Sequence, residues 1–461
     1  MNWNNQHLNE LFKAYDVRGI YPDQINEEIA YEAGRAFVEV LKVREKEKQV
    51  VIGQDMRPSG SRLVNAFARG VCDQGVDAIL MGLCSTDALY FATGKLNLPG
   101  AMFTASHNPA EYNGIKLARA GAAPVGELTG LFEIKDLIQK GVPDYLGAKG
   151  QVHDQDLIED YGIYLRNLVN LSEIRKLKIV IDAGNGMAGF TVPRVLKELN
   201  LEIIPLYFEL DGSFPNHEAN PIDPKNLRDL QNKVKEVRAD LGIAFDGDAD
   251  RAFFVDETGS LISPSAVTAL IAERELKREP GATIIYNLIS SKVVPEVIQE
   301  QGGVSIKSRV GHSFIKQLMK DKNAIFGGEH SGHFYFRDFW FADSGMLAAL
   351  HVLAAVGETR DGAKVSDLFA RYNRYFASGE INTRVTSPQG TSNKVAAYLM
   401  EHYQVIGDDL DGLTFSTPNW WVNVRPSNTE PLLRFNAEAN TPQILAEIQE
   451  QVLGLIREDE V

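Results

Sequence analysis

Four short apolar runs punctuate the first two-thirds of the chain, each ending at or beside Gly, Asp or Asn. They are Gln49–Gly53 (QVVIG), Lys178–Asp182 (KIVID), Asp240–Phe245 (DLGIAF) and Thr283–Tyr286 (TIIY). Their length and β-branched content predict buried strands. Between them, apolar positions recur with helical period over Asn65–Gln74, Val192–Leu199 and Ser265–Lys277. Pro193 and Pro264 are read as the starts of the last two helices, where a fixed φ and a missing N–H do no harm. Strands alternating with helices argue for α/β layers. The unit recurs near Val50, Val180 and Ile285, which predicts three similar α/β domains in series.

The end of the chain reads differently. Ile381–Val385, Trp420–Val424 and Leu432–Glu438 alternate like strands, and Asn393–His402 and Ile444–Ile456 have helical period. A smaller α+β domain is expected. The predicted domains are 1–150, 151–255, 256–368 and 369–461, with joints near Lys149–Gly150, Val255–Gly259 and Asp361–Ser366.

Length alone, 461 residues, suggests about three domains. With 44% hydrophobic and 24% charged residues the composition is ordinary for a globular protein. No apolar run approaches the roughly 20 residues that span a bilayer. The polar stretch Met1 to Leu11 has no signal pattern. No membrane and a cytoplasmic location are therefore expected. The charge, 47 basic against 62 acidic residues, is −15, so no nucleic acid is expected as a partner. Small phosphorylated ligands answer to local charge and are not excluded. Cys72 and Cys84 lack any metal-ligand spacing and are expected in the core.

Four segments carry chemistry. Thr104–Pro109 (TASHNP) follows the apolar Gly100–Phe103, and Asn113–Lys116 (NGIK) comes soon after. Pro109 drives Asn108 out of the α region, so the segment is a loop. It presents the Ser106 hydroxyl with His107 beside it and Lys116 ten residues on. Such a hydroxyl is a weak nucleophile until a base or metal activates it; a polar turn is the plain alternative. Asp246–Arg251 (DGDADR) sets three carboxylates at alternate positions after a strand. In an extended loop Asp246, Asp248 and Asp250 point the same way and converge on one cation. Hard oxygen ligands favour Mg²⁺, Ca²⁺ or Mn²⁺ over Zn²⁺. An EF-hand would also use Glu257 at its twelfth position. Arg251 stands where that loop needs glycine, however, and Ala252–Val255 continues as a strand, so the EF-hand is rejected.

Gly327–His333 (GGEHSGH) offers a carboxylate, a hydroxyl and two imidazoles among glycines. That set suits the hydroxyls of a sugar, with a surface turn as the alternative. His330 and His333 lack a third ligand nearby, which argues against zinc. Arg425–Pro431 (RPSNTEP), with Arg434, has the composition of an anion cradle, and equally of a helix N-cap. Tyr15 and Arg18 in FKAYDVRG, and Arg309, His312 and Lys316 in SRVGHSFIK, are weak signals alone. One site segment per domain argues for a central cleft. The chemistry it implies is phosphoryl transfer between a serine and a phosphorylated polyol.

TASHNP, DGDADR, GEHSGH and RPSNTEP, in this order and spacing, resemble the α-D-phosphohexomutase superfamily over essentially the whole chain. Within it the chain is most similar to the bacterial phosphomannomutases and the dual phosphomannomutase/phosphoglucomutases. The resemblance implies three similar α/β domains with mixed sheets plus a C-terminal α+β, TATA-box-binding-protein-like domain around a central cleft. It implies an isomerase that interconverts mannose 1-phosphate and mannose 6-phosphate through a phosphoserine and a 1,6-bisphosphate. Ser106 would bear the phosphate, and Asp246, Asp248 and Asp250 would hold Mg²⁺ with a phosphoserine oxygen. Arg18, Lys116 and Arg251, with His107 adjoining, would surround the transferring group. Lys116 ranks first for proton transfer, with Arg18 and His333 competing. Glu329 and Ser331 would grip sugar hydroxyls. Arg425, Ser427, Asn428 and Thr429, flanked by Arg434, would hold the other phosphate. Tyr15 and His312 match further cleft positions. A hexose 1,6-bisphosphate would serve as activator, and the last domain would move to close the cleft.

The chain departs from its relatives at Ile289, where many carry a basic residue; that cationic contact is either missing or supplied by Arg309 or Lys292. His330 stands where glucosamine relatives carry Gln. Mannose specificity therefore ranks first, dual specificity second and phosphoglucosamine third, with a metal-dependent sugar phosphatase as the rival of a different class.

Overall fold

The apolar runs pair as parallel strands. Gln49–Gln54 lies between Asp77–Leu83 and Gly100–Phe103. Leu177–Asp182 lies between Leu201–Leu206 and Leu241–Phe245. Thr283–Asn287 lies between Val304–Ser308 and Phe326–Gly328. The coordinates are a computed structural model, which describes residues 5–427 and 432–460.

In each of the three sheets the chain then reverses. Gly100–Phe103 pairs antiparallel with Tyr112–Arg119, Leu241–Phe245 with Ala252–Asp256, and Phe326–Gly328 with Phe334–Phe336. All three sheets are thus mixed and built on one plan. The reversing connections are residues 104–111, 246–251 and 329–333. These are the three chemistry-bearing loops, and each follows the C-terminal end of a parallel strand, where α/β sheets hold ligands. The fourth sheet has six strands and is antiparallel throughout. There the fourth loop, starting at Ser427, connects Trp420–Pro426 to Leu432–Ala439. Arg425 faces Arg434 across the ladder; residues 428–431, on which the helix N-cap alternative falls, lie outside the described residues.

The first sheet takes an edge strand from Val152–Asp154 and the second from Leu261–Ile262, so both run past residues 150 and 255. Pro264 opens its helix behind the Ser263 cap. Pro193 does not: it lies inside Ala188–Val195. Met187 already accepts the N–H groups of Phe190 and Thr191, so the first turn forms earlier than the proline implied. So short a helix loses a single bond to the ring.

One continuous apolar core runs through the first three domains. Helix Gly345–Gly357 is buried on every side within it, as its all-round apolar sequence requires. Buried Asp87 of the first domain also joins the three: it accepts hydroxyl donors from Tyr161 of the second and Ser344 of the third, each at 2.6 Å. The fourth domain has its own core. It docks through a small cluster of Leu288, Ile289 and Trp421. Cys72 and Cys84 are buried free thiols. Among the described residues no helix is long and apolar enough to cross a membrane.

Candidate active site

Ser106 sits in the first reversing loop with a left-handed φ of 50°. Thr104 Oγ1 accepts its N–H at 2.9 Å. A residue with no sequence signal pins this loop. Arg57 is buried, and its guanidinium donates to the carbonyls of Ser106 (3.0 Å), Asn108 (2.6 Å), Pro109 (2.7 Å) and Tyr112 (2.8 Å). Asp55 holds Arg57 from behind at 3.3 Å. Arg18 reaches the same loop through the Asn108 side chain at 2.6 Å, backed by Asp16.

The aspartate loop of the second domain meets the serine loop face to face. Ser106 Oγ donates to Asp246 Oδ2 at 2.9 Å and accepts from Arg251 Nη2 at 3.0 Å. The loops touch backbone to backbone at Gly247, where a Cβ would stand 2.5 Å from the Ser106 carbonyl oxygen. His107 Nδ1 lies 3.3 Å from Ser106 Oγ and takes a short contact from Arg251. Burial, then Arg251 and Arg18, push its imidazole down to about 2. It is a neutral acceptor, not a proton carrier.

Asp246, Asp248 and Asp250 are buried and converge, each offering an oxygen within 4.8 Å of the others. The convergence does not come from an extended loop. Ala249 takes a left-handed φ of 59° and its N–H bonds back to Asp246, so a tight turn gathers the carboxylates. Burial pushes the Asp246 carboxyl up against the pull of Arg251, and Asp250 and Asp248 add to it. Asp248 Oδ1 and Asp250 Oδ1 are buried without a hydrogen-bond partner. Bare buried carboxylate oxygens in one place fit a hard cation. Asp250, His333 and Asp343 meet the same distance criterion. Asp343, however, is taken by Lys316 at 2.6 Å and His333 at 2.8 Å. Glu257 is bound to Ser366, in keeping with the rejected EF-hand.

Lys116 donates to Asp248 Oδ2 at 2.7 Å and Asp250 Oδ2 at 2.6 Å. Burial disfavours its charge, but these carboxylates outweigh it and hold the ammonium well above its usual range. A lysine so held keeps its proton and stands as a donor beside the aspartates. His333 Nδ1 bonds to Asp343 at 2.8 Å. Burial lowers its imidazole, yet Asp250 and Asp343 more than offset this and hold it above the ordinary value.

In the third domain Glu329 is buried and accepts from Gly311 N (3.1 Å), Ser331 Oγ (3.2 Å) and Tyr335 OH (3.0 Å). Burial raises the Tyr15 phenol, and Asp16, Glu329 and Arg425 all act on it electrostatically. Residues of the first, third and fourth domains thus share one neighbourhood. Tyr15 also lines a cavity of about 660 Å³ between the first and third domains, which neither Ser106 nor the aspartates line. In the fourth domain Arg425 pairs with Glu380 (3.3 Å) and Asp411 (3.4 Å), and Arg434 with Glu380 at 3.3 Å. Ser427 bonds through its N–H to Leu432. Asn428 and Thr429, and the His312 side chain, lie outside the described residues.

Ile289 has a structural reason to be apolar, since it packs on Trp421 where the fourth domain docks. Lys292 does not supply the missing cation: its ammonium donates to the Thr417 carbonyl at 3.1 Å. Arg309 is exposed, with its guanidinium over the Phe314 ring. Ile289 and His330 line one crevice of about 120 Å³ with Ser265, Trp421 and Glu438. Motif reading missed Arg57, Thr86, Asp343 and Glu380, none of which lies in the segments it singled out.

Residues 9–142, 159–259, 263–375 and 380–455 match domains I, II and III (alpha/beta/alpha) and the C-terminal domain of phosphoglucomutase/phosphomannomutase, in that order. The chain is 39% identical over 435 residues to a phosphomannomutase of Vibrio cholerae, covering 93% of this chain and 94% of that one. It is 37% identical over 445 residues to a Xanthomonas campestris protein named phosphohexose mutases, covering 96% and 98%. A solved structure of a phosphoglucomutase/phosphomannomutase family protein from Burkholderia thailandensis superposes with a TM-score of 0.86 at 32% identity, covering 97% of each chain.

Proposed function

The chain belongs to the phosphoglucomutase/phosphomannomutase family, and from this we propose that it interconverts mannose 1-phosphate and mannose 6-phosphate with Ser106 as the phosphoryl carrier. It is a phosphohexomutase, an intramolecular phosphotransferase. The observation that carries the serine assignment is its setting. The buried hydroxyl lies between a carboxylate acceptor and a guanidinium donor, with two bare carboxylate oxygens nearby. Sugar binding alone requires none of these.

Phosphoserine 106 gives its phosphoryl group to the free hydroxyl of a hexose monophosphate. The bond from phosphorus to Oγ breaks as the bond to the sugar oxygen forms, and the sugar proton passes to a base. The 1,6-bisphosphate reverses within the cleft, and its other phosphoryl group returns to Ser106. Asp246, Asp248 and Asp250 would hold Mg²⁺, which when bound supplies positive charge beside the transferring group. Arg18, Lys116 and Arg251 share that charge. Lys116 and His333 are the proton carriers of this reading: each is held charged by buried carboxylates, and Asp343 orients the His333 ring. Arg425, Ser427, Asn428, Thr429 and Arg434 hold the phosphate that is not transferred. Glu329 and Ser331 take hydroxyls 3 and 4, which mannose and glucose share. A hexose 1,6-bisphosphate would load Ser106 in enzyme that starts unphosphorylated.

The test is kcat/KM for mannose 1-phosphate and glucose 1-phosphate with Mg²⁺ and a trace of hexose 1,6-bisphosphate. A clear mannose preference is expected. Equal values would make the enzyme dual-specific, and inorganic phosphate released as fast as substrate disappears would make it a phosphatase. Ser106→Ala should abolish turnover at an unchanged Tm; retained turnover would remove the serine from the reaction.

A further inference from the structure

The cation seat of the second domain is held from outside by the first. Helix Thr86–Leu96 begins at the aspartate loop, and both polar groups of its first residue go to Asp248. Thr86 N–H donates to the Asp248 carbonyl at 3.0 Å, and Thr86 Oγ1 donates to Asp248 Oδ2 at 2.6 Å. Lys116, also of the first domain, donates to the same Oδ2 and to Asp250 Oδ2. The division of labour is by oxygen. Oδ2 of each carboxylate is bound by protein, while Oδ1 of each is buried without a hydrogen bond, that of Asp250 facing Arg251 Nε at 3.8 Å and His333 Nδ1 at 3.9 Å. All four residues are buried or nearly so, so solvent does not compete for these bonds.

We propose that Thr86 is a positioning residue of the cation site: by fixing Asp248 Oδ2 it aims Oδ1 at the ion. A carboxylate free to rotate about its terminal bond presents either oxygen and loses orientation when it binds. One clamped from behind presents a single oxygen at no further entropic cost. Because the clamp belongs to the first domain and the ligand to the second, ion binding and the contact between these domains reinforce one another. The inference rests on the reading of the three aspartates as a Mg²⁺ site.

Thr86 gives a cleaner test than Lys116. Removing the lysine charge strengthens cation attraction while removing its bonds weakens orientation, so the two effects oppose; the threonine is neutral. Mg²⁺ affinity is measured by isothermal titration calorimetry on the full chain, without substrate, for wild type, Thr86→Val, Thr86→Ala and Thr86→Ser, with Asp248→Asn as a control. Thr86→Val and Thr86→Ala should bind about 10- to 100-fold more weakly. Thr86→Ser keeps the hydroxyl and should stay within about threefold of wild type. Melting in EDTA tests that each variant is folded; should Val not fold, Ala against Ser decides. Unchanged affinity in a folded Val or Ala variant, or equal losses in Ser and Ala, would overturn the positioning role and leave the cation site standing. Wild type that binds no Mg²⁺ would overturn the cation reading itself.

Discussion

Gly247 offers the sharpest test of the contact between the serine and aspartate loops. Its φ is not left-handed, so alanine meets no backbone penalty there and only the contact is probed. The added carbon would lie 2.5 Å from the Ser106 carbonyl oxygen, against the 3.4 Å at which ordinary contact begins. The loops must part by about 0.9 Å. The opposing atom is backbone, and Arg57 grips the same carbonyl at 3.0 Å, so the serine loop cannot yield cheaply. Overpacking of this kind costs about 1–3 kcal/mol. A displacement near 1 Å between reacting groups costs on the order of 100-fold in rate. Gly247→Ala should therefore lower kcat/KM for mannose 1-phosphate by about two orders of magnitude at saturating Mg²⁺. Its Tm should fall by only a few degrees. Wild-type kcat/KM in this variant would refute the claim that the spacing of the two loops sets the reaction geometry.

Two further outcomes follow from other parts of the structure. Arg57→Lys keeps the charge but not the planar fork that reaches four carbonyls; it should lose at least tenfold in kcat/KM, roughly the cost of one unpaired buried group at 1–3 kcal/mol, and wild-type kinetics would show that the loop holds its shape unaided. His351, stacked on Phe336 within the buried helix Gly345–Gly357, is pushed down to about 3 by burial, with Arg274 and Arg278 adding to it. Its folded pKa lies below the unfolded value of about 6.5. Stability present at neutral pH is therefore lost as pH falls from there toward 3, by about 2 kcal/mol between pH 7 and pH 5. Glu275, 3.8 Å from His351 and pushed up to about 7 by burial, titrates with the opposite sign in the same window. The readout is therefore the stability difference between wild type and His351→Gln in urea unfolding, which should change by about 2 kcal/mol between pH 7 and pH 5; a constant difference would mean that His351 does not carry the effect.

Much of this protein is legible without coordinates because its signals are local. The strand of Leu241–Phe245 follows from an apolar run, and its end falls where the acid-rich segment begins. Pro264 and the Ser263 cap mark a helix start by the chemistry of that one turn. Pro193 misled because helix starts are decided by which N–H groups find acceptors, and here Met187 provided one upstream. The alternation of Asp246, Asp248 and Asp250 pointed to convergence, although a tight turn at Ala249 produces it.

The ordered motifs determined the reaction class, since serine, carboxylates, sugar ligands and guanidinium groups are each necessary for phosphoryl exchange on a sugar and rarely occur together. Their assembly belongs to the tertiary structure. Three sheets on one plan carry their loops at equivalent ends, and a shared core locks them so that Ser106 meets Asp246 across a domain boundary. The same packing decided what each charged group can do. Two carboxylates hold Lys116 charged, Arg251 and burial hold His107 neutral, Asp343 orients His333, and Ile289 serves a docking contact instead of a ligand. Ionisation and orientation depend on neighbours distant in the chain, and their energies are set by distance and burial, which residue order does not specify.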